Sequence, residues 1–495
     1  MPESEANRTP QNTPNGDGTF GAREQLAIWL LLVSAFVVIL NETVMGVALP
    51  RLMEDLRITA AEGQWLTTAF LLTMSVVIPI TGMLIQRVRT RPLFLLAMSL
   101  FSAGTLISAI APGFGVLVLG RVVQAGGTAI MMPLLMTTVI TLVPPHQRGR
   151  IMGRISIVIS VAPALGPTVS GLILEYLDWR ALFFLVLPIA LVALMLGALR
   201  LPNVGISTRA RVDVLSVVLT LFGFGGIVYG LSAFGEEANG GAPISPWIPL
   251  GISVVGLAWF VLRQLRLQRE DRALLDLRTF LVPAFRYSVI LFVFASMALF
   301  GSLILLPIYM QNVLGFSTLG SGLALLPGGL LMGLLGPVVG RRIDRRGTRG
   351  TLIPGVIITA AALWAMGLFT DTTLLWQIIA THVALSIGLA AVFTPLFTVS
   401  LGSLPGSLAS HGSATISTAQ QVAGAAGTAL FVTVMTLVSV QAAGSPEAVD
   451  AHALAAGTRV AFLLGGLVAT LAIPLAFLIH DGEPAATHGG PSGAH

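Results

Sequence analysis

Long apolar stretches alternate with short polar segments along almost the whole chain. Each stretch has about 20 residues or more, the length of α-helix needed to cross the hydrocarbon core of a bilayer. The stretches occupy 27–49, 64–85, 93–112, 115–142, 151–174, 180–199, 214–234, 246–265, 286–309, 320–341, 352–370, 374–400, 413–439 and 458–479. This pattern predicts an all-α membrane protein with 14 transmembrane helices. An even number of spans puts both termini on the same side of the membrane.

Composition excludes most soluble classes of protein. Of 495 residues, 55% are hydrophobic and 10% are charged, whereas roughly a quarter of a soluble protein is charged. All 27 basic residues are arginine, which excludes a phosphate-binding GxxxxGK[ST] loop and a Schiff-base lysine. The chain has no cysteine, and its seven histidines form no HExxH pair. We therefore expect neither an enzyme nor a metal site.

The arginines determine the predicted orientation. With successive loops assigned to alternate sides, 22 arginines fall on the side that holds both termini and four on the other. Only Arg121 lies within a span. Because arginine-rich loops stay in the cytoplasm, we expect both termini to be cytoplasmic and the protein to lie in the inner (plasma) membrane. The same placement accounts for a pI near 10.5 without nucleic acid as a partner.

A weak internal repeat suggests two similar halves. The basic segment after the second span, from Gly82 to Arg87, is similar to the one after the tenth, from Gly340 to Arg345. Duplicated helical bundles with a substrate path between them are common in transporters; the alternative is that basic cytoplasmic loops simply look alike. The predicted organisation is a disordered cytoplasmic tail at 1–25, a six-helix bundle at 26–200, two additional spans at 201–266, a cytoplasmic linker at 267–285, a second six-helix bundle at 286–480 and a disordered cytoplasmic tail at 481–495.

Two charged side chains lie deep inside predicted spans, where charge is costly and therefore marks a candidate functional site. Glu42 lies about 12 Å from the outer end of the first span, and Arg121 about 9 Å from the outer end of the fourth. These similar depths predict that the two interact, with Glu42 binding a transported proton and Arg121 modulating its affinity. A static ion pair that fixes the register of the helices is the alternative.

Polar side chains recur at helical spacing in the fourth and thirteenth spans. Such stripes can line a substrate path, although small and hydroxyl residues also pack membrane helices together. Methionines near the first stripe would give adaptable contact. The candidate substrate-binding residues are Asn41, Phe70, Gln124, Met131, Met132, His382, Gln420 and Gln421.

Several short segments resemble the motifs of one transporter family. They are 40–50, 121–127, 162–171, 178–180, 306–312 and 326–329. Residues 121–127 are similar to an RxxQGxG pattern, and 162–171 to the gxxxGPxxGG motif that is associated with antiporters. Together the segments resemble the major facilitator superfamily and, within it, the 14-span drug:proton antiporters of the lincomycin-resistance type.

The resemblance implies a major facilitator fold, in which two six-helix bundles flank two extra central spans and rock in alternating access. Two departures matter. Asn41 stands where most relatives have Asp, which moves the acid to Glu42, and Gln86 stands where the superfamily has Asp, which casts doubt on a charge-based gate in the N-terminal half. The residues that match gating motifs are Gly82, Arg87, Gly166, Pro167, Gly171, Gly340, Asp344 and Arg345.

The predicted function is export of lipophilic compounds, cationic drugs among them, in exchange for protons. The expected partners are small lipophilic substrates, protons as the coupling ion and membrane lipids, with no cofactor and with a functional monomer. The alternative within transport is an exporter or flippase of an endogenous lipid or lipid-like metabolite. An intramembrane hydrolase built around Ser317 is the rival from another class, although no histidine is matched to that serine in a facing span.

Overall fold

The computed structural model describes residues 21–58, 60–203, 213–238, 244–270, 272–445 and 448–479. Residues 1–20 of the predicted tail at 1–25, and all of the predicted tail at 481–495, lie outside these ranges. Within them the protein is helical, with 14 long helices. The first six are α1 Ala22–Leu56, α2 Ala60–Arg87, α3 Thr90–Ala109, α4 Phe114–Leu142, α5 Pro145–Tyr176 and α6 Arg180–Arg200. The last six are α9 Pro283–Asn312, α10 Thr318–Arg346, α11 Arg349–Met366, α12 Leu375–Gly402, α13 Ala409–Ala443 and α14 Ala451–Ala476.

Two further helices stand between these groups. Helix α7 runs through Val214–Thr220, a π-helical turn at Leu221–Gly225, and Gly226–Ala238. Helix α8 is Trp247–Leu267. Each of the 14 predicted stretches therefore corresponds to one helix, and the described helices include 13 that are long and apolar enough to cross a membrane. Helix α5, 32 residues long, packs between α1 and α10.

The helices generally extend beyond the predicted stretches. Helix α1 begins at Ala22, inside the segment expected to be a tail, and the second bundle begins at Pro283 rather than at 286. Polar residues at the membrane surface can continue a helix after the apolar core has been crossed, so hydropathy marks the bilayer rather than the helix. Ser317 is the N-cap of α10, where its hydroxyl accepts a hydrogen bond from the Gly320 N–H at 3.0 Å. That position gives this serine a structural role.

Helices α1–α6 pack mainly on one another, as do α9–α14, so the chain forms two bundles. The bundles meet along α5 and α10 and along α2 and α13. Backbones come very close where α5 crosses α10, because a Cβ at Gly153 would lie 2.5 Å from the Gly336 carbonyl oxygen. Glycine is needed there since any side chain would separate the two halves.

One face of the molecule carries the arginine-rich loops, at 87–91, 145–154 and 341–349, and is called the Arg-rich face below. The halves are in contact near this face. Gly82 of α2 packs on Ala414 of α13, and the Thr137 hydroxyl of α4 bonds the Ser413 hydroxyl of α13 at 3.2 Å. These contacts close the space between the bundles toward the Arg-rich face.

Helices α7 and α8 form a hairpin beside the groove between α2 and α13. In the π-helical turn of α7, the Gly223 carbonyl accepts a 2.6 Å hydrogen bond from the Ser253 hydroxyl of α8. At the Arg-rich face Asp213 accepts two 2.6 Å bonds from the Arg263 guanidinium. Hydrogen bonds therefore hold the hairpin together both at the π-helical turn and at the Arg-rich face.

Candidate transport cavity

A cavity of about 120 Å³ lies between the two bundles, near the middle of the helices. Both halves contribute to its wall, through α1, α2, α4 and α5 on one side and α9, α10, α12 and α13 on the other. Most of the wall is apolar. Among the described residues that line it, Glu42 is the only one with a charged carboxylate or guanidinium. The volume is below the roughly 300–1,000 Å³ of typical ligand pockets, so a drug-sized compound requires the halves to separate.

Glu42 connects the two halves across this cavity. It lies on α1, in the N-terminal half, and the side chain of Gln421 on α13 lies close enough to interact with its carboxylate. The Gln421 amide nitrogen also lies 3.8 Å from the sulfur of Met74 on α2. A movement of one bundle relative to the other must therefore change the surroundings of this carboxylate.

Arg121 lies behind the wall rather than in it. Its side chain is 1% exposed, and its Nη1 donates to Asn41 Oδ1 at 3.2 Å and to Gln124 Oε1 at 2.6 Å. The guanidinium carbon sits 4.0 Å from the centre of the Phe70 ring, a cation–π contact. The Gln124 amide in turn donates to the Thr105 hydroxyl at 2.7 Å. Arg121 is thus fixed by neutral partners on its own helix and on α1 and α2, and Gln124 links this network to α3.

The predicted interaction between Glu42 and Arg121 takes a less direct form. No ion pair joins the two side chains in the described part of the chain, and the contact of Arg121 with α1 is made by Asn41. Successive helix residues point about 100° apart, so the position next to the acid faces α4 while the acid faces the cavity. The two charges still interact electrostatically at longer range.

The structure divides the candidate substrate-binding residues into two groups. Met131, Met132, His382, Gln420 and Gln421 line the cavity together with Glu42. The other three, Asn41, Phe70 and Gln124, are at most 2% exposed and surround Arg121. In this conformation the second group is placed to hold Arg121 rather than to contact a compound in the cavity. Substrate contact by the first group remains a prediction.

Sequence reasoning missed apolar residues of the wall. Leu299, Phe300 and Leu303 of α9 and Met332 of α10 line the cavity from the C-terminal half. Helix α9 is apolar on all sides, so no periodicity reveals which face looks inward. Within α9, only Gly301 gives a local sign of a close neighbour. The ring of Phe431 packs against it, and a Cβ added at residue 301 would lie within 3 Å of that ring.

The gating residues near the Arg-rich face lie where the halves touch. Gly82 is against α13, and the amide of Gln86 donates to the Ser410 hydroxyl at 3.0 Å and to the Ser407 carbonyl at 3.3 Å. The superfamily has an acid at this position, and here the neutral amide of Gln86 makes the contact between the halves. The remaining members of this group lie near the same face. Arg87 ends α2, and Gly340 is buried in α10. Arg345 is exposed in the last turn of α10, and the side chain of Asp344 lies outside the described part of the structure.

The glycines of α5 serve two different contacts. A Cβ at Gly166 would lie 2.9 Å from Thr43 Cβ, next to Glu42, so this glycine lets α5 approach α1. Gly171 faces α10, with Leu319 Cα 3.7 Å from where its Cβ would be. Pro167 follows Gly166 in α5, and its side chain lies outside the described part of the structure. The motif therefore positions the helix that carries the cavity acid.

Comparisons with known proteins agree with this architecture. The family model of the major facilitator superfamily matches residues 31–428. The chain is 40% identical over 453 residues to the MFS-type transporter YcnB of Bacillus subtilis, covering 91% of this chain and 94% of that one. It is also 40% identical over 455 residues to the lincomycin resistance protein LmrB of the same organism, with the same two coverages.

A solved structure shows the same fold at low sequence identity. The human organic anion transporter MFSD10 superposes with a TM-score of 0.64 at 18% identity, over 92% of this chain and 99% of that chain. The bundles, the multiple membrane spans and the matches in sequence lead to one conclusion. The chain belongs to the major facilitator superfamily, and it is a multi-pass membrane transporter rather than an enzyme.

Proposed function

We propose that this transporter exports lipophilic compounds, cationic drugs among them, in exchange for protons. The observation that carries the proposal is the position of Glu42, a titratable acid that faces a cavity between two bundles and lies close to Gln421 of the opposite bundle. An apolar wall with one acid suits a compound that combines hydrophobic surface with a positive charge. The resistance named for the LmrB relatives makes lincomycin a first compound to test.

The residues would act as follows. When the halves rock, Gln421 moves relative to α1, and the carboxylate of Glu42 loses or gains its interaction with this amide. A proton on Glu42 neutralises the cavity, whereas its release leaves a negative charge that favours a cation. Arg121, held by Asn41 and Gln124, keeps a fixed positive charge behind the wall and modulates the proton affinity of the acid.

The proposal includes an orientation and a location. The Arg-rich face would be cytoplasmic, so that both termini lie inside the cell and the protein sits in the plasma membrane. The observed conformation would then be closed to the cytoplasm. Both halves of the cavity wall come from the same chain, which supports a monomer as the transporting unit.

The test is Glu42→Gln in proteoliposomes with an imposed pH gradient. Glutamine keeps the volume and a hydrogen-bonding amide but cannot bind a proton, so binding should persist while gradient-driven transport falls to the level without a gradient. Uptake of tetraphenylphosphonium and of lincomycin would be measured with and without the gradient. Glu54→Gln, at the exposed end of α1, is the matched control and should transport as the parent does. Retention of gradient-driven transport by Glu42→Gln would contradict the coupling role.

A further inference from the structure

His382 occupies the position in the C-terminal half that Arg121 occupies in the N-terminal half. Arg121 lies seven residues after the first residue of α4, and His382 seven residues after the first residue of α12. Six residues further on, each helix has a glycine on which its neighbour packs. At Gly127 the neighbour is Phe101 of α3, and at Gly388 it is Thr359 of α11. The duplicated bundles therefore place one nitrogen-bearing side chain at the same level on each side of the cavity.

The surroundings of the two side chains are different. Arg121 is held by two amides and an aromatic ring and is 1% exposed. His382 lines the cavity, and its Nδ1 is buried without a hydrogen-bond partner among the described residues. A buried polar atom that lacks a partner is destabilising, and such atoms are rare in folded proteins. An imidazole in the wall of a binding cavity is in a position to find a hydrogen-bond partner in the bound compound.

Gly328 of α10 fixes where this imidazole lies. A Cβ at residue 328 would collide with Nδ1 and would lie 2.6 Å from Cε1 of the same ring and 2.7 Å from the Ser386 hydroxyl. The absence of a side chain at Gly328 is thus what leaves room for the ring. Ser386 also lines the cavity, one helical turn after His382 on α12. The imidazole and this hydroxyl form a small polar area in a wall that is otherwise largely apolar.

We infer that His382 binds a hydroxyl group of the transported compound through its imidazole ring. A hydroxyl suits this ring because it both donates and accepts, and so pairs with either tautomer of the imidazole. Glu42 and His382 lie in opposite halves of the wall, so a compound with an amine and hydroxyl groups contacts both halves at once. This inference rests on the proposed function, and it makes His382 the residue that selects hydroxylated substrates over purely hydrophobic cations.

The experiment compares two probes on the purified transporter. Lincomycin carries several hydroxyls and an amine, whereas tetraphenylphosphonium is a hydrophobic cation with no hydrogen-bonding group. His382→Leu should weaken lincomycin binding about tenfold, the effect of one lost hydrogen bond that leaves a polar group unpaired. Tetraphenylphosphonium binding should stay within about twofold of the parent. His382→Gln should recover most of the lincomycin affinity, because its amide also donates and accepts.

Two further variants separate substrate contact from structure. Thr381→Val is the control on the same helix, since the Thr381 hydroxyl bonds the carbonyls of Gln377 and Ile378 in its own helix and should not affect either probe. Gly328→Ala leaves His382 in the sequence but fills the space of its ring. It should reproduce the selective loss of lincomycin binding even if His382→Leu fails to fold.

The outcomes are distinguishable. Selective loss of lincomycin in His382→Leu and in Gly328→Ala supports the inference. Equal loss of both probes, or no loss of lincomycin, overturns it while leaving proton-coupled export of cations intact. If the parent protein binds neither probe, the proposed function fails, and the role of His382 fails with it.

Discussion

At the scale of single residues, two neighbouring positions of α1 have different contacts. Asn41 turns toward α4 and accepts a hydrogen bond from Arg121, while Glu42 turns toward the cavity. Because the partner of the guanidinium is a neutral amide, the positive charge is not cancelled by an adjacent carboxylate. In the proposed exchange, the acid would then take up and release its proton without first breaking an ion pair.

Arg121→Ala should destabilise the protein as well as impair transport. Removing the guanidinium leaves the side-chain oxygens of Asn41 and Gln124 buried and unpaired, at a cost of about 1–3 kcal/mol each. The measurement is thermal unfolding in detergent, with Arg200→Ala at the exposed end of α6 as control. The Arg200 variant should unfold within about 0.5 kcal/mol of the parent. An unchanged unfolding temperature for Arg121→Ala would show that the buried network does not hold α1, α3 and α4 together.

At the scale of helices, the α5 motif acts first within its own half. Gly166 lets α5 touch α1 beside Glu42, and its carbonyl accepts a 2.7 Å bond from the Ser170 hydroxyl. Gly153, outside the recognised motif, makes the closest glycine contact with the other half through Gly336. The motif resemblance singled out Gly166 and Gly171 of α5, but their spacing alone does not say which neighbouring helix each one approaches.

Gly166→Ala should slow transport more than it weakens binding. The new methyl group would meet Thr43 and push α1 away from α5, which displaces Glu42 from Gln421. Gly171→Ala is the matched control, because its methyl group would make an ordinary 3.7 Å contact with Leu319. Binding and transport of tetraphenylphosphonium would be measured for both variants at equal amounts of protein in the membrane. Equal transport rates in the two variants would contradict a special role for residue 166.

Asp213 can be set aside as an alternative proton carrier. Hydrogen bonds from the Arg263 guanidinium lower the pKa of the Asp213 carboxyl to about 2, below its ordinary value of 3.8. A carboxyl with a depressed pKa stabilises the fold above its ordinary pKa, and that contribution is lost as the pH falls toward 2. Near neutral pH this group therefore stays ionised, and its task is to anchor α7 to α8.

At the scale of the whole molecule, hydropathy was sufficient to predict the number of helices but not their faces. Every predicted stretch corresponds to a helix, because the bilayer sets a minimum length that the sequence must satisfy. Which face lines the cavity is decided by packing between helices that are apolar all round, as in α9. For the same reason the polar residues Gln420 and Gln421 could be placed at the cavity from sequence, while Phe300 could not.

The orientation can be tested with single cysteines, because the parent chain has none. Thr372 lies in the exposed loop between α11 and α12, and Ser407 in the exposed loop between α12 and α13. An impermeant thiol reagent applied to intact cells should label Thr372→Cys, because its loop is on the side poor in arginine. Ser407→Cys should react only after the membrane is permeabilised. The reverse pattern would invert the assigned topology.

The single acid in the cavity wall also limits how the membrane potential can act. If one proton enters as one monovalent cation leaves, no net charge crosses the membrane, so export is electroneutral. A potassium diffusion potential should then leave tetraphenylphosphonium export unchanged at a fixed pH gradient. Export of a neutral compound would move one positive charge inward and gain about 2.3 kcal/mol per 100 mV of inside-negative potential. A cell that keeps its membrane potential but loses its pH gradient would therefore expel neutral compounds and retain cationic ones.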